Sequence, residues 1–273
     1  MFGFLEKSSC RVHGKRFIPG VCVLCSTYSW SDNKTNDVLQ ASLGVGFSFA
    51  ALSYAFGRTS GGHLNPILTV AVVSSGRMSL FQGIIYVCAQ TLGAIIGSAI
   101  TFACMPLGSS HKHRGISTTL LHQDLSPPQG FALEMLFTLM FVFIFLVASH
   151  PETHPGVRAL SVGSHLGVRA FGVGVALTAC HLCLAPFTGC GMNPVRSLGP
   201  AIVVGEWTHH WVYWLGPLSG GVVASVFHNF IFFMSEDVGG RSGLRDEETE
   251  GFGGSSKRRR SRRRRQRQRH VEV

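Results

Sequence analysis

Residues 80–107 run for 28 positions without an ionised side chain. A helix needs roughly 20 apolar residues to cross about 30 Å of hydrocarbon. Five stretches meet that requirement: Val38–Gly57, Leu80–Leu107, Gln129–Ser149 with Glu134 as its single charge, Ala170–Cys190 with His181 neutral, and Trp211–Met234. An ordinary soluble domain carries about 25% charged residues. This chain carries 14%, and the charge is displaced toward the ends. Residues 1–35, 36–235 and 236–273 net +3, +2 and +5. Three regions follow: an N-terminal segment over 1–35, a membrane domain over 36–235, and a tail over 236–273 expected to be disordered. The fold class is an all-α membrane protein. Glycines four apart, Gly93 with Gly97 and Gly216 with Gly220, predict close helix packing in lipid.

Two further apolar stretches are too short to cross. Each opens on Asn-Pro, at Asn65-Pro66 and Asn193-Pro194, and each runs about ten residues to a glycine, Gly76 or Gly205. Ten residues of helix cover about 15 Å, half a bilayer. Asparagine is a strong N-cap and proline suits the first helical position. Each pair therefore starts a half-helix. Gly62-His63-Leu64-Asn65-Pro66-Ile67 and Gly191-Met192-Asn193-Pro194-Val195 align as an internal repeat. Paired half-helices in two halves of a chain point to an inverted repeat with a site at the centre.

These features resemble the aquaporins, or major intrinsic proteins. The stretch from Phe187 through Asn193-Pro194-Val195-Arg196 to Ala201 carries the sharper likeness. Ser60-Gly61-Gly62-His63-Leu64-Asn65-Pro66, Ala89-Gln90-Thr91-Leu92-Gly93-Ala94 and Glu134 add to it. The resemblance covers roughly residues 36–234 and implies an inverted-repeat helical bundle with two re-entrant half-helices. The chain departs from the family pattern in three places. The signature triplets end in Ile67 and Val195 rather than alanine. Residues 1–35 lack a clear apolar span: the stretch 17–30 contains Pro19 and Gly20, and Lys7, Arg11, Lys15 and Arg16 break up what precedes it. The first span is expected to be degenerate or missing, and Glu6 does not lie in a convincing helix.

Lys257 and nine arginines between Arg258 and Arg269 favour a cytoplasmic C-terminus. Counting back, the Asn65 half-helix enters from the cytoplasm and the Asn193 half-helix from outside. Asn33-Lys34-Thr35 is a glycosylation sequon on the outer side of that arrangement, which makes Asn33 a candidate site. The basic run suits anionic lipid rather than nucleic acid, and Ser261, behind three arginines, is a candidate phosphorylation site that would weaken the patch. The plasma membrane is expected rather than an intracellular one.

The resemblance implies a passive channel for water. Asn65 and Asn193 would meet at the midplane, where two helix N-termini create a positive field that opposes protons. By family position, Val45, His181, Cys190 and Arg196 form a selectivity filter. Water-selective members usually have phenylalanine where Val45 stands, so a wider filter passing small neutral solutes is expected, unless Phe47 or Phe49 fills the space. Ser197, where glycerol conductors usually have aspartate, makes glycerol the weaker reading. A homotetramer is implied. Cys22-Val23-Leu24-Cys25 has no second pair to form a zinc site. No cofactor, metal or nucleophile–base set is expected, so the chain is not expected to be an enzyme. The competing reading is a structural or junctional membrane protein that keeps the fold without conducting. Ile67, Val195 and the weak first span favour it.

Overall fold

The structure, a computed structural model, describes residues 34–104, 118–149 and 166–231. The first-span region, Asn33, Glu6 and the tail with Ser261 lie outside these residues. Among the described residues there are seven helices and no strand. They are α1 (Lys34–Ser60), α2 (Pro66–Ser74), α3 (Leu80–Cys104), α4 (Pro127–Ala148), α5 (Leu166–Thr188), α6 (Pro194–Val204) and α7 (212–231). Four of them, α1, α3, α4 and α5, are long and apolar enough to cross a membrane. Their most apolar windows are only 33% to 50% buried. Leu92, Ile96, Ile100, Leu136 and Phe171 are all exposed. A helix that is apolar all round while only partly buried suits a hydrocarbon surround.

Two helices are short. α2 has 9 residues and α6 has 11, about 14 and 17 Å at 1.5 Å per residue. Both start as the sequence requires, with asparagine at the N-cap and proline in the first turn. Both end at an open glycine, Gly76 with φ 69° and Gly205 with φ 79°. That left-handed conformation costs glycine least and closes the helix.

Helix ends differ from the apolar runs in instructive ways. α5 includes Arg169, which the uncharged run left out; it is half-buried, and a long charged side chain can lie along apolar surface while its head reaches polar surroundings. α5 stops at Thr188 rather than Cys190, since the residues that follow turn sharply. α4 begins behind a capping arrangement in which Gln129 Oε1 accepts from the Ser126 N–H and hydroxyl at 2.9 and 2.7 Å.

The helices pack in pairs: α1 on α5, α3 on α6, α4 on α5, and α2 on α3 and α4. Small residues set the closest crossings. A Cβ on Gly46 would collide with Thr178 and the Gly174 carbonyl, and one on Gly174 would meet Ala50. Gly216 and Gly220 lie against the α4 backbone at Phe131 and Met135, so this glycine pair works as a packing face.

Candidate functional site

The two half-helices meet through their N-caps. Asn65 Oδ1 accepts from the Ile67 N–H at 2.8 Å, while its amide donates to the Met192 carbonyl at 2.9 Å. Asn193 Oδ1 accepts from the N–H groups of Val195 and Arg196 at 3.2 and 3.4 Å. Its amide donates to the Leu64 carbonyl at 3.2 Å. Each asparagine thus bonds the carbonyl just before the other. An amide NH₂ has two hydrogens. One is committed to this exchange, and the second remains for a solvent molecule.

Two symmetric struts hold the loops that deliver the asparagines. Tyr86 on α3 donates its hydroxyl to the Ser60 carbonyl at 3.2 Å. Tyr213 on α7 donates to the Thr188 carbonyl at 2.9 Å. Ser60 and Thr188 each stand five residues before their asparagine. The second loop is also gripped by Glu134. Its Oε1 accepts from the Thr188 hydroxyl at 2.6 Å and the Gly191 N–H at 2.8 Å, and its Oε2 accepts from the Met192 N–H at 2.7 Å. Every one of these partners is a donor, the arrangement that suits an ionised carboxylate. In the first loop Gln90 donates to the His63 carbonyl at 2.7 Å and the Thr69 hydroxyl oxygen at 3.0 Å.

A cavity of about 30 Å³ lies at this junction. That is room for one or two waters. Asn65, Asn193, His181 and Arg196 line it, together with Val45 and an apolar wall that includes Phe49, Phe141 and Leu177. Leu64, Gly191 and Met192 complete it. Arg196 sits in the first turn of α6, is 5% exposed, and donates to the Gly189 carbonyl at 3.4 Å. His181 Nδ1, buried on α5, has no protein hydrogen-bond partner among the described residues.

Three other residues singled out in the sequence lie outside the cavity wall. Ile67 packs against Gly221 of α7. Val195 is completely buried, so its bulk, like that of Ile67, does not enter the cavity. The Cys190 side chain is fully buried in the core, on a backbone with φ 53°, while its neighbour Gly191 faces the cavity. The sequence reading missed the tyrosine struts and the part played by Phe141, Leu177 and Met192, and it named Phe49 only alongside Phe47, which does not line the cavity. Aligning the two halves about their asparagines would have found the tyrosines, which fall 21 and 20 positions after Asn65 and Asn193.

The sequence model of the major intrinsic protein family matches residues 17–228. The chain belongs to that family. It is 35% identical over 212 residues to aquaporin-4 of Bos taurus, a match covering 77% of this chain and 62% of that protein. The chain thus spans less than two thirds of aquaporin-4's length. It is 37% identical over 220 residues to the lens fiber major intrinsic protein of Oryctolagus cuniculus, covering 78% of this chain and 79% of that one. The X-ray structure of the aquaglyceroporin from Plasmodium falciparum superposes with a TM-score of 0.68 at 20% identity, over 85% of this chain and 99% of that chain. This major intrinsic protein is therefore an all-α membrane protein with the aquaporin fold.

Proposed function

We propose that the chain is a passive channel for water, and that whatever else it passes is small and neutral. The observation that carries this reading is the water-sized cavity bounded by both N-cap asparagines, Arg196 and His181. A water there can accept from both amides. It then has no lone pair for its neighbour's proton, and the two helix N-termini repel a hydrated proton. Val45, His181 and Arg196 form the constriction beside the asparagines, and Cys190, buried in the core, belongs to the loop that presents Gly191 to it. Glu134 serves as a structural acceptor. Relatives named aquaporin-4 and lens fiber major intrinsic protein support a channel rather than an enzyme.

The rest of the arrangement belongs to the same reading. Residues 36–235 form the channel domain of a multi-pass plasma-membrane protein that assembles as a homotetramer. Residues 1–35 are the N-terminal segment, where the first span is degenerate or replaced, and Asn33 is a candidate glycan site on the outer side. The 236–273 tail is cytoplasmic and its arginines meet anionic lipid, a contact that phosphate on Ser261 weakens. Osmotic swelling of vesicles containing the purified protein tests the channel. Wild-type vesicles should swell faster than empty ones; equal rates would leave the non-conducting structural reading in its place.

A further inference from the structure

Val45 is where the family resemblance calls for an aromatic ring and the chain has none. One turn along the same helix a ring is present. Phe49 follows Val45 by four residues, so the two share a face of α1 about 6 Å apart along its axis. Both are buried and both line the cavity. Phe47, the other neighbouring ring, is 51% exposed and takes no part in the wall.

The opposite wall has the same two levels. Gly46 lies against Thr178 and Ala50 against Gly174, so α1 and α5 run antiparallel. That direction puts His181 toward the Val45 end of the wall and Leu177 toward the Phe49 end. The first level also holds Arg196 and is rich in donors. The second level has Phe49, Leu177 and Phe141, and none of these side chains has a hydrogen-bonding atom. Phe141, 1% exposed, meets Phe49 edge-on with ring centroids 5.7 Å apart and planes at 77°. The preferred T-shaped geometry and burial on both sides keep the Phe49 ring from swinging aside.

We infer that solute selection is made at this apolar level, with Phe49 as the specificity-determining residue and Phe141 as its positioning partner. A solute at this level finds no hydrogen-bonding side-chain atom on the side formed by Phe49, Leu177 and Phe141. Water has few to lose and is small. A larger solute with several polar groups, such as urea, gives up more of them and meets a narrower aperture. The valine at position 45 therefore does not open the channel to such solutes. The inference rests on the channel reading and adds where its selectivity resides.

The test is a pair of flux assays, water and urea, on vesicles with matched protein content. Wild type, Phe49→Leu, Phe49→Ala, Phe141→Leu and Val45→Phe are compared. Wild type should pass water with urea near the empty-vesicle background. Phe49→Ala should raise the urea-to-water flux ratio at least fivefold, and Phe49→Leu and Phe141→Leu should raise it less. Val45→Phe, which adds bulk to the cavity wall, should not raise it. Phe49→Leu is apolar and close in size, so it keeps the test open should Phe49→Ala fail to fold. An unchanged ratio in both Phe49→Leu and Phe141→Leu overturns the inference while the channel stands. So does wild-type urea flux that Val45→Phe removes. Wild-type vesicles that pass no water overturn the channel reading itself.

Discussion

The two re-entrant loops carry the same task and are fastened by different means. Both present an asparagine to the centre, and both receive a tyrosine hydroxyl on the carbonyl five residues upstream. Two residues before each asparagine the designs part. The first loop has His63, whose ring packs edge-on against Tyr86 and Phe145 at 5.8 Å each. The second has Gly191, where a Cβ would stand 2.7 Å from the Tyr213 ring and 3.0 Å from Glu134 Oε2. Side-chain bulk helps to fill the first loop. The second is left bare so that a carboxylate can reach its backbone N–H groups. That grip has strain to hold, because Cys190 and Met192 adopt φ of 53° and 48° without being glycine. In the first loop the positive-φ positions are Gly61 and Gly62. Each non-glycine residue in that region costs on the order of 1 kcal/mol or more. The difference teaches that one loop is shaped by its composition and the other by a buried carboxyl group.

The comparison can be broken most severely at Glu134. Glu134→Ala leaves the Gly191 and Met192 N–H groups and the Thr188 hydroxyl without their acceptor, at about 1–3 kcal/mol for each buried group. Folded protein recovered in detergent should fall sharply. Gln90→Ala, which removes one side-chain donor from the His63 carbonyl, should lower the melting temperature far less. Equal losses would show that the loops are not held differently. Gly191→Ala comes next, because its new methyl collides with Tyr213 and Glu134. We expect a loss of about 2 kcal/mol or more in thermal stability, in line with overpacked sites. His63→Ala leaves a gap in place of a clash and should cost less.

The reciprocal asparagines allow a sharper comparison. Asn193→Asp replaces the donor facing the Leu64 carbonyl with a negative oxygen, while still capping α6. Water flux in vesicles should drop roughly tenfold, the effect of losing about 1.4 kcal/mol at the centre. Asn65→Asp should do the same through the Met192 carbonyl. A much larger effect at one asparagine would show that water depends on that half alone. The smallest effects should come from Gly76→Ala and Gly205→Ala. Neither new Cβ meets any atom within 4 Å, so only the left-handed backbone is charged for, about 1 kcal/mol in each. Matching shifts in melting temperature would confirm that the half-helices end alike.

Much of this architecture could be read directly from the residues. The half-helices announce themselves through Asn-Pro at one end and glycine at the other, both consequences of local backbone chemistry. Glu134 stands alone in an apolar span, and a lone carboxylate there must find donors. The remaining features depend on which residues from distant segments come level with one another. Ile67 reads as an obstruction until Gly221 is seen opposite it. Val45 reads as an enlarged filter until Phe49 is seen with Leu177 in the same cavity wall. Cys190 belongs to the loop in sequence, yet its backbone conformation leaves the thiol in the core and Gly191 at the cavity. None of these follows from local periodicity, because helix pairing distances of a hundred residues or more decide them.

The amide–carbonyl exchange between Asn65 and Asn193 also bears on how the protein is made. Its two bonds join residues 127 and 129 positions apart. A chain inserted from its N-terminus has Asn65 and Leu64 in place long before Met192 and Asn193 emerge. Until then the first loop lacks these partners, a poor condition in a bilayer that offers no water to substitute. The centre can close only once both halves are present, a contact of high sequence separation. The same two bonds that border the cavity thus also tie the two halves of the chain together, and severing the chain between the halves should leave two fragments that each lack the other's partner groups.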